Sequence, residues 1–261
     1  MAFLRHWAIF GCYLGAVLLA LGLVAHRAQA RKDFLHPGLF GVEGRMGSGK
    51  SYFFAYIAYH ARRRGRWVAA NFALEGAHLI THWLPTPAER AAWESAEHRA
   101  AAGGLRDRHG RLDHYAAGYQ FSGCALHLPL GALEIIDEAQ QWWPSDAWKA
   151  PVAVRLWVTH IRKHGQTVLW GTQDRRNVSR WLRDLSFGIW EASRFRSGHA
   201  YTLYDPSVSP RRGVRRHELR VVLRRSSKVM STYDTYEVIA TGVEWGGFDE
   251  LAGSGVGGGD V

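Results

Sequence analysis

The chain contains only two cysteines, Cys12 and Cys124, and no C-x-x-C pair. Cys12 falls inside an apolar N-terminal run, which takes it out of reach of a pairing with Cys124 and leaves neither a disulfide framework nor a cysteine-based zinc site. Histidine does not fill the gap. His160 and His164 stand at i and i+4, a spacing zinc can use, but no acid lies between them and no third ligand is evident. No internal repeat is visible. Lysine is scarce beside arginine, and the formal net charge is +10. That balance points to phosphate-bearing partners, either nucleic acid or anionic lipid, without choosing between them. An apolar fraction of 47% excludes a disordered chain, and 261 residues suffice for one large domain with appendages.

Long apolar runs are absent except for residues 7–25, which carry no charge. As a helix this run is about 28 Å long at ~1.5 Å per residue, close to the ~30 Å hydrocarbon thickness of a bilayer. Arg5 and His6 precede it, and His26, Arg27, Arg31 and Lys32 follow. The excess of cations on the carboxyl side places that side in the cytoplasm. We therefore expect residues 1–32 to form a single-pass membrane anchor. A cleaved signal peptide ending at Ala28-Gln29-Ala30 and a buried core helix are the two other readings.

The sequence centres on Gly44-Arg45-Met46-Gly47-Ser48-Gly49-Lys50-Ser51, which fits G-x-x-x-x-G-K-[ST] at every required position. Glycines let backbone N–H groups approach a β-phosphate. Lys50 brings a cation to the β/γ-phosphates, Ser51 brings a hydroxyl for Mg²⁺, and a following helix adds its dipole. The flanks suit the motif: residues 39–43 read as a buried strand and 51–64 as a helix stopped by Gly65. Gly44 through Ser51, with Tyr52 just inside the helix, are the residues expected to cradle ATP.

Further strands are expected at 67–74, 132–136 and 166–171, and a helix at 88–102 anchored by Trp93. The charged stretch 105–114 reads as a loop or hairpin. Strands alternating with helices predict an α/β protein, a P-loop NTPase with a mostly parallel sheet flanked by helices, over residues 33–241. Residues 242–261 form a Gly-rich tail. The strand at 132–136 ends in Asp137-Glu138. Asp137 suits the Mg²⁺ shell opposite Ser51, and Glu138 suits polarisation of a water for attack on the γ-phosphate. Thr172 and Gln173 end a neighbouring strand, and Gln173 can hydrogen-bond that water or the γ-phosphate. The catalytic set is thus Lys50, Glu138 and Gln173, with Ser51 and Asp137 at the metal. Residues 186–204 alternate in a way that suggests strands extending the sheet. Arg211, Arg212, Arg215, Arg216, Arg220, Arg224 and Arg225 follow, suited to DNA phosphates, to lipid head groups, or simply to solvent. Arg180, Arg183, Arg194 and Arg196 are candidates for an arginine acting on a neighbouring subunit's site.

The phosphate loop, Ile136-Asp137-Glu138-Ala139-Gln140 with Trp142-Trp143-Pro144, His160-Ile161-Arg162-Lys163-His164-Gly165, Gln173 and Tyr233-Asp234-Thr235 together resemble the zonula occludens toxin (Zot) family. The phage members of that family are the gene I assembly proteins of filamentous phages. The resemblance covers residues 39–238. It implies an inner-membrane ATPase that drives assembly and export of single-stranded DNA virions. It also implies a homo-oligomer working with phage coat or assembly proteins, with single-stranded DNA as a further partner. Family members usually place the ATPase before the membrane span, whereas here the apolar run comes first. Two alternatives stay open: a DNA translocase of conjugation or packaging type, and a nucleotide-binding membrane scaffold with little turnover.

Overall fold

The computed structural model describes residues 36–107, 110–145, 152–195, 198–204 and 217–233. The expected anchor, the Gly-rich tail, and Arg211, Arg212, Arg215 and Arg216 lie outside the described residues. Among the described residues no helix is long and apolar enough to cross a membrane.

In chain order the elements are β1 (Gly38–Glu43), α1 (Lys50–Arg62), β2 (Val68–Ala70), β3 (His78–Leu79), α2 (Pro87–Ala102), β4 (Leu133–Ile136) and α3 (Val152–His160). They continue with β5 (Thr167–Thr172), α4 (Arg180–Leu185), β6 (Gly188–Phe195), β7 (Gly198–Tyr204), β8 (His217–Arg224) and α5 (Ser227–Met230). The strands form one sheet in the order β3-β2-β4-β5-β1-β6-β7-β8. From β3 to β6 every pairing is parallel. β7 and β8 add an antiparallel extension at the far edge. The expected mostly parallel sheet is therefore present, and the strands foreseen in 186–204 do extend it.

Apart from the edge strand β3, whose two residues are exposed, the parallel strands are buried on both faces, hence their runs of apolar residues without alternation. One face packs on α1 through Phe53, Phe54, Ile57, Leu133, Ile135, Tyr201 and Leu223. The other packs on α3 and a group of indoles, among them Trp142, Trp143, Trp157 and Trp170. Trp83 joins this group, with its ring 4.0 Å from that of Trp143 and 4.8 Å from that of Trp142.

Local sequence explains most element ends. Gly65 adopts φ 69° and stops α1. Thr86 opens α2 with a reciprocal capping box to Glu89, and Pro87 occupies the first turn. Trp93 of α2 lies between two imidazoles, His114 at 4.1 Å and His127 at 5.0 Å. Within the 105–114 stretch, Arg106 and Leu112 pair in an antiparallel bridge. The expected strand 67–74 contracts to three residues. After Ala70 the Asn71 carboxamide turns onto the backbone of Asp137, and the ladder cannot continue past it.

One glycine matters to the layering. A Cβ on Gly41 of β1 would stand 2.5 Å from the Trp170 indole on adjacent β5. Gly41→Ala is therefore expected to lower stability by about 1–3 kcal/mol through overpacking, read as a lower urea midpoint at unchanged slope.

Candidate nucleotide site

The phosphate loop connects β1 to α1 at the carboxyl edge of the parallel sheet. The chain crosses over here: β2, β4 and β5 lie to one side of β1, and β6 to the other. Ligands of open α/β sheets bind at such a switch point. Gly47 (φ 73°) and Gly49 (φ 104°) adopt left-handed conformations that other residues resist. Gly49 is the N-cap of α1 and gives no side-chain cap, and no acid stands in the first turn. The first N–H groups of the helix thus face the loop without a side-chain acceptor, an arrangement that favours an anion. Lys50 is 7% exposed and folds back to donate to the Gly44 carbonyl at 2.9 Å, across the mouth of its own loop.

One strand separates β1 from β4, and that is enough to bring the two halves of the motif together. Ser51 Oγ donates to Asp137 Oδ2 at 3.4 Å. Asp137 is 9% exposed. Its pKa is raised by burial first and by the Glu138 carboxylate second, with the Lys50 charge working against both. Asn71 braces the Asp137 main chain, its Nδ2 donating to the carbonyl and its Oδ1 accepting from the N–H, both at 2.8 Å. Gly171 on β5 leaves room for this carboxylate, since a Cβ there would come within 2.8 Å of Asp137 Oδ1.

Glu138 follows in a left-handed conformation with φ 50°, alone among the described non-glycine residues. Such a backbone costs of order 1 kcal/mol and persists only where neighbours enforce it. Gln140 Nε2 donates to Glu138 Oε2, and Gln173 Nε2, from the tip of β5, donates to Oε1 at 3.4 Å. Gln173 therefore stands beside Glu138, whereas Thr172 is buried and donates to the Asp174 carbonyl as part of the strand-end turn.

Arg45, Met46, Gly47 and Ser48 line a cavity of about 900 Å³ together with Glu43, Gln173, Arg175, Arg183 and Arg194. Arg175 approaches Glu43 at 3.6 Å, and burial raises the Glu43 pKa. Of the arginines proposed to act on a neighbour, Arg183 and Arg194 line this same-chain cavity, and Arg180 pairs with Asp184 at 3.2 Å. Arg196 lies outside the described residues.

The Tyr52 side chain is taken up by the sheet. The ring is 2% exposed, and its hydroxyl donates to the Arg224 carbonyl at 2.7 Å while accepting from the Ser226 N–H. An aromatic residue two positions into a helix packs on the sheet, so Tyr52 offers a phosphate only its backbone N–H. Sequence reasoning missed Asn71, His199 and Tyr201. His199 Nδ1 donates to the Ser48 carbonyl at 2.9 Å and Tyr201 Oη to the Gly49 carbonyl at 2.8 Å. No local pattern signals contacts between residues so far apart in the chain. Asn71 left one trace, as a strand-breaking residue inside an apolar run. His160 and His164 have ring centroids 6.0 Å apart, and no cluster of three or more metal-ligating His, Cys, Asp or Glu occurs among the described residues.

The family model of Zonular occludens toxin (Zot) matches residues 39–186. No curated protein matches the chain. Among solved structures, the N-terminal domain of zonular occludens toxin from Neisseria meningitidis is 19% identical, with 76% of this chain and 100% of that chain covered and a TM-score of 0.47. The genome packaging NTPase B204 from Sulfolobus turreted icosahedral virus 2, in complex with ATP-gammaS, is 12% identical over 66% of this chain and 93% of that one, at a TM-score of 0.41. The flagellar accessory protein FlaH from Methanocaldococcus jannaschii is 14% identical over 72% and 85%, at 0.37.

The strand that delivers Asp137 also carries Glu134, which is 1% exposed with neither carboxylate oxygen hydrogen-bonded within the protein. Burial holds its pKa well above the ordinary carboxylate value. The folded state therefore keeps a proton that the unfolded chain releases. Stability should fall as pH rises from the ordinary carboxylate pKa of ~4.3 toward the raised folded value, by up to about 1.4 kcal/mol per pH unit. Glu134→Gln is expected to flatten that decline in urea unfolding measured across pH. An unchanged slope would show that Glu134 does not cause it.

Proposed function

The chain belongs to the zonular occludens toxin family, and on that premise we propose that it is a membrane-anchored ATPase powering assembly and export of filamentous phage particles. The observation that carries the reading is the meeting of Lys50, Ser51, Asp137, Glu138 and Gln173 at the carboxyl ends of β1, β4 and β5. The substrate is ATP, its phosphates ringed by the loop N–H groups and the first turn of α1. Lys50 gives up the Gly44 carbonyl for the β/γ-phosphate oxygens.

Mg²⁺ fits the donor set present. A hydroxyl and a carboxylate face each other at 3.4 Å, and the carboxylate is buried, its pKa raised by that burial and then by the Glu138 charge. Ser51 and Asp137 would hold the ion. When bound, it neutralises charge on the β- and γ-phosphate oxygens. Glu138 takes the proton of the attacking water, and Gln173 orients that water or senses the γ-phosphate. The Glu138 carboxylate turns from Gln140 and Gln173 toward the water as it does so.

Residues 7–25 hold the ATPase on the cytoplasmic face of the bacterial inner membrane. The working unit is a homo-oligomer in which an arginine of one subunit reaches the γ-phosphate of the next, and coat or assembly proteins receive the work. A DNA translocase is the second reading, favoured by the exposed arginines of β8.

Phosphate release by the full-length protein in detergent tests the central claim. Lys50→Ala is expected to abolish turnover and ATP binding together. Glu138→Gln is expected to bind ATP while losing about 10²–10⁴-fold in turnover. Normal hydrolysis by the Glu138 variant would remove the assignment. Stimulation by single-stranded DNA alone would favour translocation, and stimulation by coat or assembly proteins would favour morphogenesis.

A further inference from the structure

The phosphate loop is gripped from the side opposite the catalytic acids. His199 and Tyr201 of β7, buried at 5% and 0% exposure, hold the carbonyls of Ser48 and Gly49. A carbonyl only accepts, so the His199 proton sits on Nδ1. Burial keeps the His199 pKa below its usual value, aided by the charges of Arg225 and Arg194 and opposed by the bond to Ser48. A Cβ on Gly49 would stand 2.3 Å from that imidazole, so loop and ring lie in direct contact.

The grip continues outward. His199 pairs with Leu223 and Tyr201 with Val221 across the β7–β8 ladder. From the helix side, the Tyr52 hydroxyl donates to the Arg224 carbonyl and accepts from the Ser226 N–H. β8 is therefore tied to the loop through β7 and to the first turn of α1 through Tyr52. Its two faces differ in kind. Val221 and Leu223 are buried against α1, while Arg220, Val222 and Arg224 alternate with them on the open face. Opposite these three stand Thr202, Ala200 and Gly198, small residues that leave the guanidinium groups uncovered.

We propose that the open face of β8 binds the phosphodiester backbone of single-stranded DNA and that β7 couples this binding to nucleotide at the phosphate loop. Guanidinium forks match phosphate geometry, and Val222 gives an apolar contact between the two cations. Arg220 and Arg224 stand in line on one face of the sheet's edge strand, and this row of positive charge complements an extended polyanion. β7 is bonded to the loop on one side and to β8 on the other, and coupling of two ligands through it is reciprocal.

The proposal rests on the nucleotide reading above, and its test separates the two. Full-length protein in detergent is titrated with a non-hydrolysable ATP analogue and Mg²⁺, with and without saturating oligothymidylate at low salt. Oligothymidylate is expected to shift the analogue Kd about fivefold, and the analogue to shift the oligothymidylate Kd by the same factor. Tyr201→Phe keeps the ring and removes one hydroxyl, and His199→Phe removes one donor. In each the coupling factor should drop toward one whatever the analogue Kd itself becomes. The double substitution Arg220→Ser, Arg224→Ser leaves the core untouched and should weaken oligothymidylate, lowering the slope of log K against log salt by about 1.4.

Analogue binding with no oligothymidylate effect would overturn this inference alone, as would coupling that survives both β7 variants. Anionic phospholipid vesicles shifting the analogue Kd where oligothymidylate does not would overturn the nucleic-acid assignment. Failure to bind the analogue at all would overturn the nucleotide reading as well.

Discussion

A carboxylate placed in a low-dielectric interior must find positive charge or be neutralised, and Asp137 is such a group. Its surroundings are arranged for a charge that the protein supplies only in part. Asn71 fixes its backbone from both sides, Gly171 vacates the space beside it, and Ser51 reaches it from the start of α1. The intervening strand β5 sets the distance.

The sheet is built from two kinds of pairing that serve different ends. Its parallel part aligns the carboxyl ends of β1, β4 and β5 so that loop, acids and Gln173 open on one edge. Its antiparallel part reaches back to the same loop through side chains. The loop is thus held from both flanks, by the Thr172 carbonyl on the Gly44 N–H and by His199 and Tyr201 on the carbonyls of Ser48 and Gly49.

Much of this was legible in the sequence, because its signals were local. The glycine pattern with Lys50 and Ser51, the apolar strand running into Asp137-Glu138, and Gly65 after α1 each depend on neighbours within a few residues. Stacking of strands with helices followed from the alternation of those signals. What escaped was long-range or side-chain specific. Asn71 looked like one more residue of a strand until its carboxamide met Asp137. The bond of the Tyr52 hydroxyl to the end of β8 had no local signal. The two β7 side chains on the loop belong to a strand that looks ordinary, since its function lies in where it docks. The left-handed turn at Glu138 also had no precursor, because glutamate does not advertise positive φ as glycine and asparagine do.

The crowding of indoles behind Glu138 carries a practical consequence. Trp142 and Trp143 follow the 3-10 turn (Ala139–Gln141) that presents Gln140 to Glu138, and both pack on Trp83. Emission from tryptophan depends on the electric field and quenchers around each ring, and a rearranged turn alters both for this cluster. The protein therefore carries an intrinsic optical gauge of the turn beside Glu138, which needs no attached dye.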